Sequence, residues 1–160
     1  WQGAYYSNNK YMQRQICEKK GILIPKYELV LSIKQVSDFA KETGYPIIIK
    51  PTDNRGSIGI SKVNRKEEIE KALLAAQSNS KSAQVLAEEY IIGTQYTVDG
   101  YSFRDSGCKT IAIAEKIMID EDKEVAMEIR YPAKLTASKY DNLSKMNEEV
   151  NNCLEYIYQY

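Results

Sequence analysis

No histidine occurs anywhere in this chain. That absence removes serine–histidine and cysteine–histidine nucleophilic sites, histidine general bases and histidine metal ligands together. Cysteine is scarce: Cys17, Cys108 and Cys153 are widely spaced and form no C-x-x-C pattern. Such an odd set fits unpaired thiols in a reducing, cytoplasmic setting better than a disulfide framework or a zinc site. Neither sign of charge is in excess, because 22 lysines and arginines balance 22 aspartates and glutamates. Neither nucleic acid nor an anionic membrane surface is therefore expected as a partner. No apolar run approaches the length of a bilayer span, and no signal peptide precedes the first helical pattern. What is left for chemistry is lysine, carboxylate, backbone amide and a hard, oxygen-bound cation, an inventory that suits phosphoryl transfer.

The most informative stretch that is present is YPIIIKPTDNRGSIGI, residues 45–60. The apolar run Ile47-Ile48-Ile49 carries Lys50 to a strand end, Pro51 stops the strand, and Gly56, Ser57 and Gly59 open a loop. A lysine beside a glycine-rich loop can hold polyphosphate: the ammonium is a point charge, and glycines let backbone N–H groups approach the anion. It is not a Walker loop, since no G-K-[ST] follows the glycines. The competing reading makes Lys50 a solvated charge and the glycines an ordinary hairpin.

Along the chain, Asn9 is placed to cap a first helix ending near Gly21, and Pro25 bars helix before a short strand at Tyr27–Leu31. Ser32 with Gln35 forms a capping box ahead of the stripe Val36, Phe39, Ala40, closed by Gly44. Asn64 with Glu67 is expected to start another helix whose buried face is Ile69, Ala72, Leu73 and Ala76. Val85–Tyr90 reads as a strand. Beyond it, period-two alternation predicts two long antiparallel strands turned at Asp105-Ser-Gly107, and a third from Glu124 to Arg130 after an acidic turn at Asp120–Asp122. A last helix is drawn by Leu143, Met146, Val150, Leu154 and Ile157, with Asn147-Glu148 and Glu149 to Asn152 on its solvated face. The chain opens on Trp1-Gln2-Gly3 and ends within a helical pattern, so a piece of a larger protein is expected.

Three elements stand in one order: Lys10 in NKYMQRQICEKKGILIP, Lys50 with its loop, and EEYIIGTQYTVDG at residues 88–100. In that order they resemble the ATP-grasp superfamily of carboxylate–amine ligases, with the carbamoyl-phosphate-synthase-like branch as the nearest likeness. The resemblance is strong over residues 7 to about 103 and weak beyond. It implies an α+β fold, with a small lid lobe of strands and two helices plus part of a larger antiparallel-sheet lobe. The expected organisation is an entry helix and linker at 1–26, the small lobe with the phosphate loop at 27–92, and a partial large lobe at 93–160. By resemblance, Lys10 and Lys50 reach phosphate oxygens, and Asn54, Gly56, Ser57 and Gly59 belong to the loop that closes over them. Arg55 either contacts phosphate or faces solvent. Glu88 would accept from the adenine amino group. Glu89, Tyr90 and Ile91 belong to the hinge strand, where the backbone at Tyr90 and Ile91 would complete recognition of the adenine edge. For Glu88 and Glu89 the alternative is a solvated pair at a strand end; for Ile91 and Ile92 a place in the core and a place in the adenine wall are compatible.

The resemblance further implies ATP as ligand, Mg²⁺ in the full-length enzyme, and an unidentified carboxylate and amine as partners, the acid being activated as an acylphosphate. Oligomerisation could use regions outside this span. Two departures stand out. Gln95 occupies a position where many relatives place a ribose-binding glutamate, and glutamine loses charge and bidentate capacity. No E-x-N-x-R motif, the family's later metal site, follows Glu128. This span alone is expected to bind nucleotide without turnover. The alternative from another class is a non-catalytic nucleotide-binding module.

Overall fold

The computed structural model describes residues 6, 8–103, 106–120 and 125–154. Asn9 halts the incoming chain in an extended conformation and accepts from the Met12 amide, so α1 (Lys10–Lys19) begins where a free side-chain oxygen satisfies an orphan N–H. After β1 (Tyr27–Val30), Ser32 caps α2 (Ile33–Thr43) by accepting from the Gln35 amide. The Gln35 side chain reaches back to the Leu31 N–H at 2.9 Å, closing the reciprocal box one residue earlier than the ideal. β2 (Ile47–Pro51) and β3 (Ser61–Val63) flank the loop at 52–60. A 3₁₀ turn (Lys66–Glu68) then leads into α3 (Ile69–Ser78) and β4 (Val85–Glu89).

These strands make one antiparallel sheet in the order β1-β4-β2-β3. Alternation sends Ile47, Ile49, Val85 and Ala87 to one face, where Val36, Phe39, Ala40, Ile69, Ala72, Leu73 and Ala76 cover them. Both helical stripes are thus buried as their spacing requires. Burying each large aliphatic contributes about 1.5–3 kcal/mol, enough for the helices to hold the sheet in a single register. The other face of the same strands carries Ile48, Lys50, Lys62 and Glu88, because Ile48 stands opposite both Lys62 and Glu88.

The entry to α3 differs from expectation. Glu68, not Glu67, returns to the Asn64 N–H at 2.8 Å, because the tighter 3₁₀ turn shifts which side chain faces back.

In the second half, β5 (Gln95–Phe103), β6 (Gly107–Asp120) and β7 (Val125–Arg130) form a three-stranded antiparallel sheet, and α4 (Ala137–Cys153) lies against β5 and β6. Asp105, residues 121–122, Glu124 and Ile157 lie outside the described residues. The Asn147–Asn152 segment of α4 is a solvated face only in part: Glu149 is exposed, while three of its neighbours bond the sheet. Asn152 accepts from the Cys108 N–H at 2.9 Å, Glu148 accepts from the Thr110 N–H at 3.2 Å, and Asn147 donates to the Thr110 hydroxyl at 3.0 Å. Polar side chains satisfy β6 amides here, so helix and sheet meet through hydrogen bonds where an apolar stripe would be the usual device.

All three cysteines are free. Cys17 of α1 and Cys153 of α4 touch thiol to thiol, and burial, with Cys17 beside it, pushes Cys153 up to about 11. Among the described residues no helix is long and apolar enough to cross a membrane.

The loop at 52–60 is docked at its far end. Gly59 has φ +78, and a Cβ there would sit 2.8 Å from Asn79 Cβ and 3.3 Å from the Ala75 carbonyl oxygen. Gly56 also has positive φ, but open space surrounds it. Gly56→Ala should therefore cost about 1 kcal/mol, from backbone strain alone. Gly59→Ala should cost about 3 kcal/mol, from strain plus overpacking. Urea unfolding of both variants checks the difference, and equal losses would show that the loop is not seated on α3.

Candidate functional site

Four charged side chains converge on the face of the first sheet opposite the helices. Lys10 and Arg14 lie one helical turn apart on α1 and so share a side. Lys50 comes from the end of β2 and Glu88 from β4. Glu88 is only 4 % exposed. Arg14 grips it with Nε on Oε1 at 2.8 Å and Nη2 on Oε2 at 3.5 Å, while Lys50 Nζ pairs with Oε2. Burial alone would push the Glu88 carboxyl up; Lys50 and Arg14 together outweigh it and hold the group below the usual glutamate range.

Lys10 is fixed by backbone oxygens. Its Nζ donates to the Pro51 carbonyl at 3.3 Å and to the Asn54 carbonyl, and its own N–H donates to the Thr52 carbonyl at 2.8 Å. Burial and then the neighbouring Lys50 ammonium lower the Lys10 pKa. A cation near a helix N-terminus is opposed by the dipole as well. The loop carries its own anchors. Asp53 accepts from the Ser80 hydroxyl at 2.7 Å and from the Lys81 and Ser82 amides, and Asn54 donates to the Asn79 carbonyl at 2.8 Å. The Thr52 hydroxyl is fully buried and has no hydrogen-bond partner among the described residues.

The structure brings Lys10, Lys50, Asn54 and Glu88 together. Gly56, Ser57 and Gly59 stand in the loop that joins β2 to β3, and Ser57 takes φ +59. Three expectations need correction. Neither Lys50 nor Glu88 is a solvated strand-end charge, since each is the other's partner. Glu89 is half-buried and not a free strand-end charge: its carboxylate accepts from the Lys26 N–H at 3.2 Å, and its amide donates to the Lys26 carbonyl at 2.9 Å, tying the hinge to the linker before β1. Ile91 and Ile92 are 61 % and 86 % exposed, so the core reading fails for both. Arg55 reaches Asn8, a partner that neither of its two readings named.

Tyr90 and Gln95 border a cleft of about 570 Å³ between the two sheets, with Lys62, Ile92, Lys116 and Met118 among its walls. Lys62 lies over the Tyr90 ring at 4.6 Å, and Gln95 pairs with Lys116 in register. A second concavity of about 630 Å³ opens between α1 and β1, lined by Tyr11, Glu18, Tyr27 and Phe39, and holds none of the sequence-predicted residues. Arg14, Lys62 and Lys116 were missed from sequence. Only Arg14 carried a legible signal, its four-residue spacing from Lys10. Among the described residues no three histidine, cysteine or acidic side chains cluster, so none is assigned to a metal.

Comparison with known proteins places these residues in a family. An ATP-grasp domain model matches residues 43–157, well over half of the chain. The D-alanine–D-alanine ligase of Fusobacterium nucleatum is 29% identical over 147 residues, covering 90% of this chain and 46% of that protein. A urea amidolyase of Lachancea kluyveri is 32% identical over 117 residues, covering 67% of this chain and 6% of that protein. The VanG D-Ala:D-Ser ligase structure from Enterococcus faecalis superposes with a TM-score of 0.82 at 19% identity, over 96% of this chain and 46% of that one, a likeness of fold. The chain thus spans less than half the length of each of these proteins.

The lowered pKa of Glu88 has a defined sign. Its contribution to stability is complete above the ordinary glutamate value of 4.5 and is lost as pH falls through the depressed folded-state value. Glu88→Gln should remove that acid limb: below pH 4.5 its melting temperature falls less steeply than that of the wild type. Parallel acid limbs in a thermal melt series would mean that Glu88 does not titrate as a buried ion pair.

Proposed function

The chain belongs to the ATP-grasp family, and on that footing we propose that it binds ATP between its two sheets, with the polyphosphate on Lys10 and Lys50. The observation that carries this reading is the excess of cation. Lys10, Arg14 and Lys50 converge around one buried carboxylate, Glu88, with Asp53 supplying a further opposite charge at Lys10 and Arg55 a further like charge. A polyanion offsets the burial and the Lys50 repulsion that lower Lys10. The cleft beside Tyr90 offers an aromatic and aliphatic wall for a base, with hinge backbone groups at its rim. Asn54, Gly56, Ser57 and Gly59 supply loop amides near the phosphates, and Glu88 to Ile91 with Gln95 supply the hinge and ribose side.

In the longer protein the reaction is ATP-dependent ligation of a carboxylate to an amine. Lys10, Lys50 and loop amides neutralise charge on the transferring phosphoryl group, and an acylphosphate is then attacked by the nucleophile. Mg²⁺ would supply further charge neutralisation in the longer protein; no cluster of acidic side chains among the described residues fits it. The motifs support a carbamoyl-phosphate-synthase-like chemistry. The likeness to D-alanine–D-alanine ligase supports an amino-acid carboxylate and an amino group as the joined pair. Gln95 in place of a glutamate supports the rival reading, a nucleotide-binding module without turnover. Release of ADP by the longer protein with a carboxylate and amine pair decides between the two.

ATP and ADP should raise the melting temperature more than GTP does; equal shifts would sink the hinge assignment. Lys10 also sets a pH dependence. Its lowered value is raised when an anion binds, so affinity is highest while Lys10 is protonated and falls as pH rises through that value toward 10.5. In Lys10→Met this alkaline fall should disappear from a calorimetric titration with ATP, and affinity should drop about tenfold at neutral pH.

A further inference from the structure

We propose that Arg14 is a positioning residue for nucleotide binding, acting through Glu88 to keep Lys50 available to a phosphate group. This rests on the nucleotide reading above and deepens it. Lys50 is 13% exposed at its side chain and pairs with a carboxylate that is itself 6% exposed. Were Lys50 the sole partner of Glu88, drawing the ammonium toward a phosphate would strand a buried anion beside an incoming anion. Such a lysine would stay with its carboxylate.

Arg14 removes that constraint. Its guanidinium offers a planar fork of N–H donors and reaches both Glu88 oxygens. Glu88 therefore keeps a cation when Lys50 is shared. The arrangement also fixes where Lys50 starts, because Arg14 holds the carboxylate that receives it. α1 brings Arg14 to this point with Lys10 one turn away, so one rigid helix supplies both a candidate phosphate contact and the group that frees the other. Among the described residues Lys10, Asp53 and Arg55 also act electrostatically around the cluster, and none of them hydrogen-bonds Glu88.

The test is a double-mutant cycle read by calorimetric titration of the protein with ATP and, separately, adenosine. Arg14→Met should weaken ATP at least about tenfold, the scale of a charge-assisted hydrogen bond. Adenosine, which lacks phosphate, should bind as in the wild type. Arg14→Lys, which keeps the charge without the fork, should recover part of the loss. In a Glu88→Gln background the same Arg14→Met change should have no further effect, because the anion that held Lys50 is gone.

Equal losses for ATP and adenosine would make Arg14 a merely structural residue and overturn the inference. So would an unchanged ATP affinity, or an effect that adds in full to that of Glu88→Gln. If Arg14→Met does not fold, comparing Glu88→Gln with the double variant decides alone: equal ATP affinities are expected, and a further tenfold loss overturns the proposal. Wild-type protein that binds no ATP would bring down the nucleotide reading itself, a result distinct from ATP binding that is indifferent to Arg14.

Discussion

A buried carboxylate stays ionised only with a cation or several hydrogen-bond donors beside it, and the small sheet is organised around that constraint at Glu88. Desolvation opposes its charge; Arg14 and Lys50 restore it. The three side chains come from α1, β4 and β2, so the ion cluster specifies how a helix is docked on the face of the sheet that the apolar core does not use. A Leu or Met in place of Glu88 could fill the same space, but would not dictate which residues of α1 and β2 must meet there.

The same cluster leaves the site electrically incomplete. Lys50 lies close enough to disfavour the charge on Lys10, which hydrogen-bonds main-chain oxygens of Pro51 and Asn54 and is favoured by the nearby Asp53 and Glu88 carboxylates. Backbone carbonyls carry partial charges, so they position an ammonium without neutralising it. The loop between β2 and β3 meanwhile has its base secured by Asp53 and its far end by Gly59 against α3. What results is a fixed cationic floor beneath a loop with exposed glycine backbone, next to a cleft walled by Tyr90 and Ile92. Electrostatics and shape therefore point to the same polyanionic, partly apolar ligand.

The second half is built by a different device. α4 meets β6 through Asn147, Glu148 and Asn152, which answer the amides and hydroxyl of Cys108 and Thr110. Gly100 and Gly107 make room for those amides, since a Cβ at either would come within 2.8 Å of Asn147 or Asn152. Hydrogen bonds are directional where apolar contact is not, so this interface sets the rotation of α4 about its axis.

Local signals carried most of the architecture. Caps at Asn9 and Ser32, the stripes Val36–Ala40 and Ile69–Ala76, the apolar run of β2 and the alternation in β5 and β6 depend on neighbours within a turn or a strand, and short-range chemistry is legible in a linear sequence. Motif order likewise pointed to the family and to Lys10, Lys50 and Glu88 as a set. Partnership was not legible. That Glu88 is buried and bound by Arg14, that Glu89 turns back to Lys26, that Ile91 and Ile92 face outward, and that an asparagine-rich helix face is an interface all follow from contacts between residues distant along the chain. A charged or amide side chain looks the same in sequence whether water or a protein group satisfies it. Only the packing of the sheets and helices decides which, because it determines where water is excluded and hence where every polar group must find a partner.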